Sequence, residues 1–91
     1  MAQYDEAAVR REAQKLILDV LTRKKVKVSP DEVREGVSLS VQMGIDSLDI
    51  LQIMATVEKK FNIRVPEEEL PGMDDLGGIV RTVKKHWPKD A

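Results

Sequence analysis

Residues 46–61 have the sequence DSLDILQIMATVEKKF, in which apolar side chains cover most of a helical circumference. At 100° per residue, one apolar group spans an arc of about 100° and a second group spans about 60°. Polar side chains share the narrow arc that remains. Because this apolar surface is wider than one neighbouring helix would cover, we expect a central helix over 46–61 that packs on at least two others or borders an internal cavity.

Upstream of this central helix, apolar residues recur at helical spacing between Val9 and Leu21. Acidic side chains favour the start of a helix and basic side chains favour its end, because of the helix dipole. The first helix is therefore predicted to begin near Asp5 or Glu6 and to end by 23–25. The basic run that follows is interpreted as a helix end and a solvated loop rather than a nucleic-acid site, since the chain has few aromatic residues.

Residues 24–45 predict a long loop, with one helical turn at 31–34 that Ser29-Pro30 opens. A loop of this length in a small domain is usually held by its own apolar contacts. We expect those contacts from Val37, Leu39 and Val41.

The C-terminal third predicts one short turn and one longer helix. The turn is expected at 67–70, closed by Pro71-Gly72, and the helix is expected from Asp74 or Asp75 to about 86, before Pro88. A Gly77-Gly78 pair in its first turns indicates close helix contact or mobility. The inward side chains of this helix are expected to be Leu76, Ile79, Val80 and Val83, with Trp87 as an apolar anchor after it.

These elements predict an all-α fold: a four-helix bundle of three longer helices and one short third helix, with a long loop between helices one and two. The bundle is expected over about residues 5–87 of a single domain, residues 1–91. The composition agrees with a globular chain, since 42% of the residues are apolar and 34% are charged.

Several kinds of chemistry are excluded by composition. The chain has no cysteine and one histidine, which argues against disulfides, thiolate metal sites and serine–histidine catalysis, and no metal-ligand spacing is present. No apolar run approaches the roughly 20 residues that cross a bilayer. The N-terminus lacks the pattern of a secretory signal, so a cytoplasmic location is expected.

The charge is unevenly distributed along the chain. Residues 43–75 carry 3 basic and 8 acidic side chains, net −5, whereas residues 1–42 have a net charge of +1 and residues 76–91 of +3. An acidic middle segment favours docking against a basic patch on a protein, not against nucleic acid or a membrane.

The central helix opens with Asp46-Ser47, which follows a loop glycine, Gly44. Aspartate and serine are preferred helix caps, so capping alone would explain the pair. A serine hydroxyl is a poor nucleophile without an adjacent base, and His86 lies at the far end of another helix. Ser47 is therefore interpreted as a substrate for another enzyme rather than as a catalytic residue.

The segment Gly44-Ile45-Asp46-Ser47-Leu48 resembles the attachment site of acyl carrier proteins, whose pattern is Gly, any residue, Asp-Ser-Leu and an apolar helix. The likeness continues through Phe61-Asn62-Ile63-Arg64-Val65-Pro66 and the acidic residues after it, and covers roughly 5–86. It implies a free-standing, monomeric carrier without catalytic activity of its own.

The resemblance further implies that Ser47 receives 4′-phosphopantetheine from coenzyme A, transferred by a separate holo-carrier-protein synthase (a phosphopantetheinyl transferase). Asp46 and Leu48 would belong to the same cofactor site. The thiol of the arm would carry acyl groups as thioesters between acyl-transferring and ketosynthase-type enzymes of fatty acid, polyketide or related lipid biosynthesis.

Two larger residue sets are carried over from the same resemblance. An acyl pocket between the second helix and the short third one would be lined by Leu39, Ile50, Ile53, Met54, Val57, Val65, Leu70 and Met73, although such apolar residues are also ordinary core. Docking to basic patches would use Asp46, Asp49, Glu58, Glu67, Glu68 and Glu69, with Asp74 and Asp75, although such a charged run is also an ordinary solvated face.

The chain departs from the family pattern at several surface positions. Gln52 stands where an acidic residue is common, Lys59-Lys60 interrupt an acidic stretch, and Val41-Gln42 replace an acidic pair. These departures predict a specialised carrier with dedicated partners. The alternatives are an aminoacyl or peptidyl carrier protein, an unmodified helical interaction module, and a small helical DNA-binding domain, which the charge disfavours.

Overall fold

The computed structural model describes residues 3–87, in which every regular element is a helix. Within this range, no helix is long and apolar enough to cross a membrane. The predicted stop at Pro88 and residues 1–2 of the N-terminus lie outside the described residues. Four α-helices and two 3-10 helices follow one another in the order α1 (Glu6–Arg23), a first 3-10 helix (Pro30–Glu32), α2 (Leu39–Met43), α3 (Ser47–Phe61), a second 3-10 helix (Glu67–Gly72) and α4 (Leu76–Lys85).

The three longer helices begin and end where the sequence predicts, and each begins after an aspartate. The side chain of Asp5 accepts a hydrogen bond from the N–H of Ala8 at 3.2 Å. The side chain of Asp75 accepts one from the N–H of Gly78 at 2.6 Å. Such caps satisfy backbone N–H groups that have no partner within the helix, so the local sequence is enough to place these boundaries.

The prediction that the loop continues to residue 45 is wrong at its C-terminal end, where α2 forms. Ser38 caps this five-residue helix, and Gly44 closes it at a φ of 70°, a conformation that glycine adopts without strain. The turn expected at 31–34 is the first 3-10 helix, which begins at Pro30. The chain therefore has a further short helix beyond the four that were predicted.

Of the three apolar residues expected to hold this loop, Leu39 is 1% exposed and Val37 packs partly against the core. Val41 is 84% exposed, so its predicted contact with the core is wrong. In a helix of one turn, residues two positions apart point in different directions. Leu39 therefore faces inward while Val41 faces outward.

The core lies between α1, α3 and α4, and α3 packs on α1 and on the second 3-10 helix, as expected of a central helix. Of its two apolar groups, the wider one is buried through Ile50, Ile53, Met54 and Val57. The narrower one is not, because Leu48 is 69% exposed and Ala55 is also exposed. Burial of each core side chain contributes about 1.5–3 kcal/mol. The side chains that are at most 2% exposed in the three helices are Val9, Ala13, Ile17, Leu21, Ile53, Val57, Ile79 and Val83.

An aromatic cluster closes the end of the bundle where both ends of the described chain meet. The rings of Tyr4 and Trp87 have centroids 5.3 Å apart at 77°, and those of Phe61 and Trp87 are 5.5 Å apart. The edge-to-face contact of Tyr4 with Trp87 stabilises beyond the area that it buries. The prediction that Trp87 is an apolar anchor is confirmed.

The glycine pair at the start of α4 marks a close approach, one of the two readings that the sequence allowed. A Cβ atom on Gly78 would lie 2.1 Å from the carbonyl oxygen of Gly72, which is backbone of the second 3-10 helix. A Cβ atom on Gly77 would instead meet the side chains of Glu35 and Arg81. Only Gly78 therefore holds α4 against backbone.

We expect Gly78→Ala to destabilise the protein, because the new methyl group overlaps a backbone oxygen that cannot move without displacing the second 3-10 helix. The expected loss is about 1–3 kcal/mol in the free energy of unfolding, measured by urea denaturation. Gly77→Ala is the matched control, since flexible side chains can move aside and alanine favours the helix by up to about 1 kcal/mol. Equal stability of the two variants would contradict the close approach.

Candidate functional site

Ser47 is the first residue of α3, and its neighbours hold the turn on which it lies. The carboxylate of Asp46 accepts a hydrogen bond from the N–H of Asp49 at 3.0 Å, and the carboxylate of Asp49 accepts one from the N–H of Asp46 at 3.1 Å. This reciprocal arrangement is a capping box. The residues on either side of Ser47, and not Ser47 itself, therefore fix the start of the helix.

The Ser47 side chain is left available to a partner. Ser47 is exposed, and its hydroxyl forms no hydrogen bond with any of the residues 3–87. The imidazole of His86 cannot serve it as a base, because His86 follows the end of α4 and its Nε2 lies 2.5 Å from Oε2 of Glu69. The geometry presents an accessible alcohol without the machinery that would activate it.

A shallow depression of about 390 Å³ lies beside Ser47, between the start of α3 and the second 3-10 helix. Three of the predicted acyl-pocket residues, Ile50, Leu70 and Met73, line it together with Ser47. Ser40 also lines it and was not among the predicted pocket residues. The complete lining is Ser40, Ile45, Asp46, Ser47, Ile50, Leu70, Pro71, Met73 and Asp74.

The other predicted pocket residues lie elsewhere. Leu39, Met54 and Val57 are at most 4% exposed within the core, and Val65 is half-buried. Ile53 borders a different depression, of about 740 Å³, between α1 and α3. The structure therefore brings part of the predicted set to Ser47 and packs the rest into the bundle.

Several of the predicted docking carboxylates already have partners within the chain. Oε2 of Glu58 accepts a hydrogen bond from the N–H of Val65 at 2.7 Å, which ties the segment after α3 to the helix. Glu69 pairs with the ammonium of Lys85 at 2.9 Å, and its hydrogen bond with His86, followed by that with Lys85, lowers the pKa of the Glu69 carboxyl. These carboxylates stabilise the fold whether or not a partner binds.

The two aspartates before α4 are also engaged. The carboxylate of Asp74 accepts hydrogen bonds from the hydroxyl of Ser38 and from the N–H of Ser40, and these bonds lower its pKa. Besides capping α4, Asp75 accepts a hydrogen bond from the N–H of Gly36 at 2.7 Å. Both residues attach the long loop to α4.

The exposed remainder of the acidic surface is small. Glu67 and Glu68 are exposed and form no ion pair or side-chain hydrogen bond with the rest of residues 3–87. The side chain of Asp46 is 62% exposed despite its capping bond. Of the predicted docking carboxylates, these three are therefore the exposed ones, and Asp46 is the one beside Ser47.

One departure from the family pattern has a structural explanation. The ammonium of Lys60 lies 3.1 Å from the carboxylate of Glu12, so it joins the end of α3 to α1. Lys59 is exposed and has no ion pair within the described residues. Of these two lysines, Lys59 is therefore the one that adds an unpaired positive charge.

Lys24 contacts the segment that carries Ser47. This contact was not predicted from the sequence. Its ammonium lies 2.7 Å from Oδ2 of Asp49, 3.9 Å from Oδ2 of Asp46 and 3.3 Å from the carbonyl oxygen of Gly44. The bond between Lys24 and Asp49 lowers the pKa of the carboxyl and raises the pKa of the ammonium. No local pattern could have revealed this pairing, because the partners are far apart in sequence.

Within the described range, no group of three or more histidine, cysteine, aspartate or glutamate side chains is arranged to hold a metal ion. Two large apolar side chains are strongly exposed there, Val41 in α2 and Leu48 directly after Ser47. The surface around Ser47 thus combines its exposed hydroxyl, the exposed carboxylate of Asp46 and the exposed apolar side chain of Leu48.

Comparison with known proteins identifies this arrangement. Residues 15–83 match the model of a family described as the phosphopantetheine attachment site. The acyl carrier protein of Wolinella succinogenes is 36% identical over 59 residues, which are 65% of this chain and 78% of the relative. The acyl carrier protein of Porphyromonas gingivalis is 29% identical over 75 residues, 82% of this chain and 95% of the relative. That of Sulfurovum sp. is 30% identical over 59 residues, 65% and 79% of the two chains.

The family match covers well over half of the chain and includes α3 with Ser47 at its start. Members of this family are carriers rather than enzymes, and their cofactor is a covalently attached 4′-phosphopantetheine. Both features agree with an exposed serine that has no base of its own. The chain therefore belongs to the acyl carrier protein family.

Proposed function

We propose that this chain carries acyl groups as thioesters on a 4′-phosphopantetheine arm attached to Ser47, and delivers them to enzymes of fatty acid, polyketide or related lipid biosynthesis. The observation that carries this proposal is the exposed Ser47 hydroxyl at the first position of α3, inside the matched region. Asp46 and Leu48 flank it and complete the site that the attaching enzyme recognises.

The residues around Ser47 fit a phosphodiester at this position. The capping bond uses the N–H of Asp49, and the other N–H groups of the first turn have no acceptor within the helix. Together with the helix dipole, they favour a negatively charged group at this end. When bound, the cofactor supplies a terminal thiol that holds the acyl group.

Attachment needs a base from a partner synthase. The two carboxylates that line the depression with Ser47, those of Asp46 and Asp74, already accept hydrogen bonds. The Ser47 oxygen would bond to the phosphorus that carries the pantetheine arm of coenzyme A. The pyrophosphate bond to this phosphorus would break, and adenosine 3′,5′-bisphosphate would leave. The proton of the hydroxyl would pass to the synthase.

The depression beside Ser47 is where we place the first part of the acyl cargo. Ile50, Leu70 and Met73 give it an apolar wall, and methionine adapts its shape easily. Since Leu70 and Pro71 belong to the second 3-10 helix, movement of that helix would change the volume available to the cargo. For a longer acyl chain, the remaining predicted lining residues stay predictions: Leu39, Ile53, Met54, Val57 and Val65.

Partner enzymes, namely the synthase and the acyl-transferring and ketosynthase-type enzymes, would dock through the exposed carboxylates Asp46, Glu67 and Glu68. These charges would meet basic side chains on the partner. Smaller contributions are expected from the other predicted carboxylates, because each is bonded within the chain and is only partly exposed: Asp49, Glu58, Glu69, Asp74 and Asp75. A monomeric state and a cytoplasmic location stay predictions.

The attachment site is tested by intact-mass measurement after incubation with coenzyme A and a broad-range synthase. The wild-type protein should gain the mass of one phosphopantetheine, and Ser47→Ala should gain none. Ser40→Ala is the matched control, because Ser40 lines the same depression and should leave modification intact. A circular dichroism spectrum would confirm that each variant is folded.

An unmodified wild-type protein would favour the helical interaction module, and modification of Ser47→Ala would place the arm on another residue. Loading of the modified protein by acyl ligases and aminoacyl ligases then separates the two kinds of carrier. We expect loading by an acyl ligase; loading by an aminoacyl ligase alone would contradict the acyl assignment.

The docking surface is tested by charge reversal at Glu67 and Glu68. The double variant Glu67→Lys/Glu68→Lys should lower kcat/KM with a partner enzyme by about three- to tenfold, since each exposed pair contributes up to about 1 kcal/mol. Asp19→Lys/Asp31→Lys makes the same change in net charge at other exposed positions, and should have little effect. A similar loss in both double variants would point to net charge rather than a local surface.

A further inference from the structure

Lys24 follows the last residue of α1, and its side chain reaches the start of α3. Its ammonium contacts the Gly44 carbonyl oxygen and both capping carboxylates, with the shortest distance, 2.7 Å, to Asp49. The next lysines along the chain, Lys25 and Lys27, form no ion pair with the described residues. Lys24 therefore differs from Lys25 and Lys27 in having carboxylate partners within the chain.

The two carboxylates that flank Ser47 differ in what remains available to a partner. The side chain of Asp49 is 16% exposed, caps the helix and is paired with Lys24, whereas that of Asp46 is 62% exposed and lies 3.9 Å from the same ammonium. The paired charges of Asp49 and Lys24 nearly cancel at the distance of an approaching protein. The net charge that a partner encounters at the start of α3 is therefore close to that of Asp46 alone.

We propose that Lys24 determines partner specificity at the Ser47 site by acting as an internal counter-ion to Asp49. A basic side chain of a partner must displace Lys24 to reach Asp49. A partner with a strongly basic docking face therefore gains little binding free energy from Asp49. The partner that fits has one basic side chain for Asp46 and an apolar surface for the exposed Leu48. This inference rests on the proposed attachment at Ser47 and specifies the enzyme that recognises it.

Removal of the counter-ion tests the proposal through the salt dependence of attachment. Lys24→Met keeps the length and apolar stem of the side chain but releases Asp49. With a synthase whose carrier-binding face is basic, this variant should have a KM about two- to fivefold lower at low salt. The dependence of kcat/KM on salt concentration should become steeper, because one more unpaired charge faces the partner.

Three further variants isolate the pairing. Lys27→Met makes the same change in net charge at an exposed lysine without an ion pair, and should keep the wild-type salt dependence. Lys24→Arg should also keep it, because the counter-ion is preserved. Lys24→Met/Asp49→Asn should return the salt dependence to that of the wild type, since the released charge is removed again.

A purely structural contribution of Lys24 would give a different pattern: a higher KM or a lower melting temperature, without a steeper salt dependence. If Lys24→Met is unstable, Lys24→Gln replaces it in the same series. An unchanged salt dependence in a folded Lys24 variant, or an equal change in Lys27→Met, would overturn the inference and leave attachment at Ser47 intact. Failure of the wild-type protein to be modified would overturn the proposed function instead.

Discussion

Burial of one face of α3 against α1 and the second 3-10 helix is the constraint on which the rest of the structure depends. Once Ile53, Met54 and Val57 are packed inside, the rotation of α3 about its own axis is set. Leu48 then has to face solvent, because its position on the helical circumference lies opposite the buried arc. Ser47 lies within about 20° of Met54 on that circumference. Its exposure therefore follows from its place at the first position of α3, beside the depression, and not from the rotation of the helix alone.

A second constraint explains why this small domain uses so much of its acidic charge internally. Backbone N–H groups at the start of a helix have no acceptor within that helix and need one elsewhere. Carboxylates supply these acceptors at α3 through Asp46 and Asp49, at α2 through Asp74 and at α4 through Asp75. An acidic segment in the sequence is therefore a poor measure of the negative charge that a partner meets.

The second 3-10 helix connects the structural and functional parts of the molecule. It packs on both α3 and α4, it approaches the backbone of Gly78 closely, and Glu69 within it binds Lys85 and His86. Its Leu70 and Pro71 also line the depression beside Ser47. Any change in this helix that accommodates cargo must therefore also alter contacts with α4.

By itself, the sequence determined the elements whose signals are local: α1, α3 and α4, their aspartate caps, and the attachment pattern around Ser47. Helical periodicity and capping act within a few residues, so they are visible without knowledge of the fold. Only the tertiary structure decided that residues 39–43 form a helix, because that helix is supported by Asp74, far along the chain. The exposure of Val41 and Leu48 and the pairing of Lys24 with Asp49 were likewise decided by the packing of whole helices against one another, a relation between distant segments that no local pattern encodes.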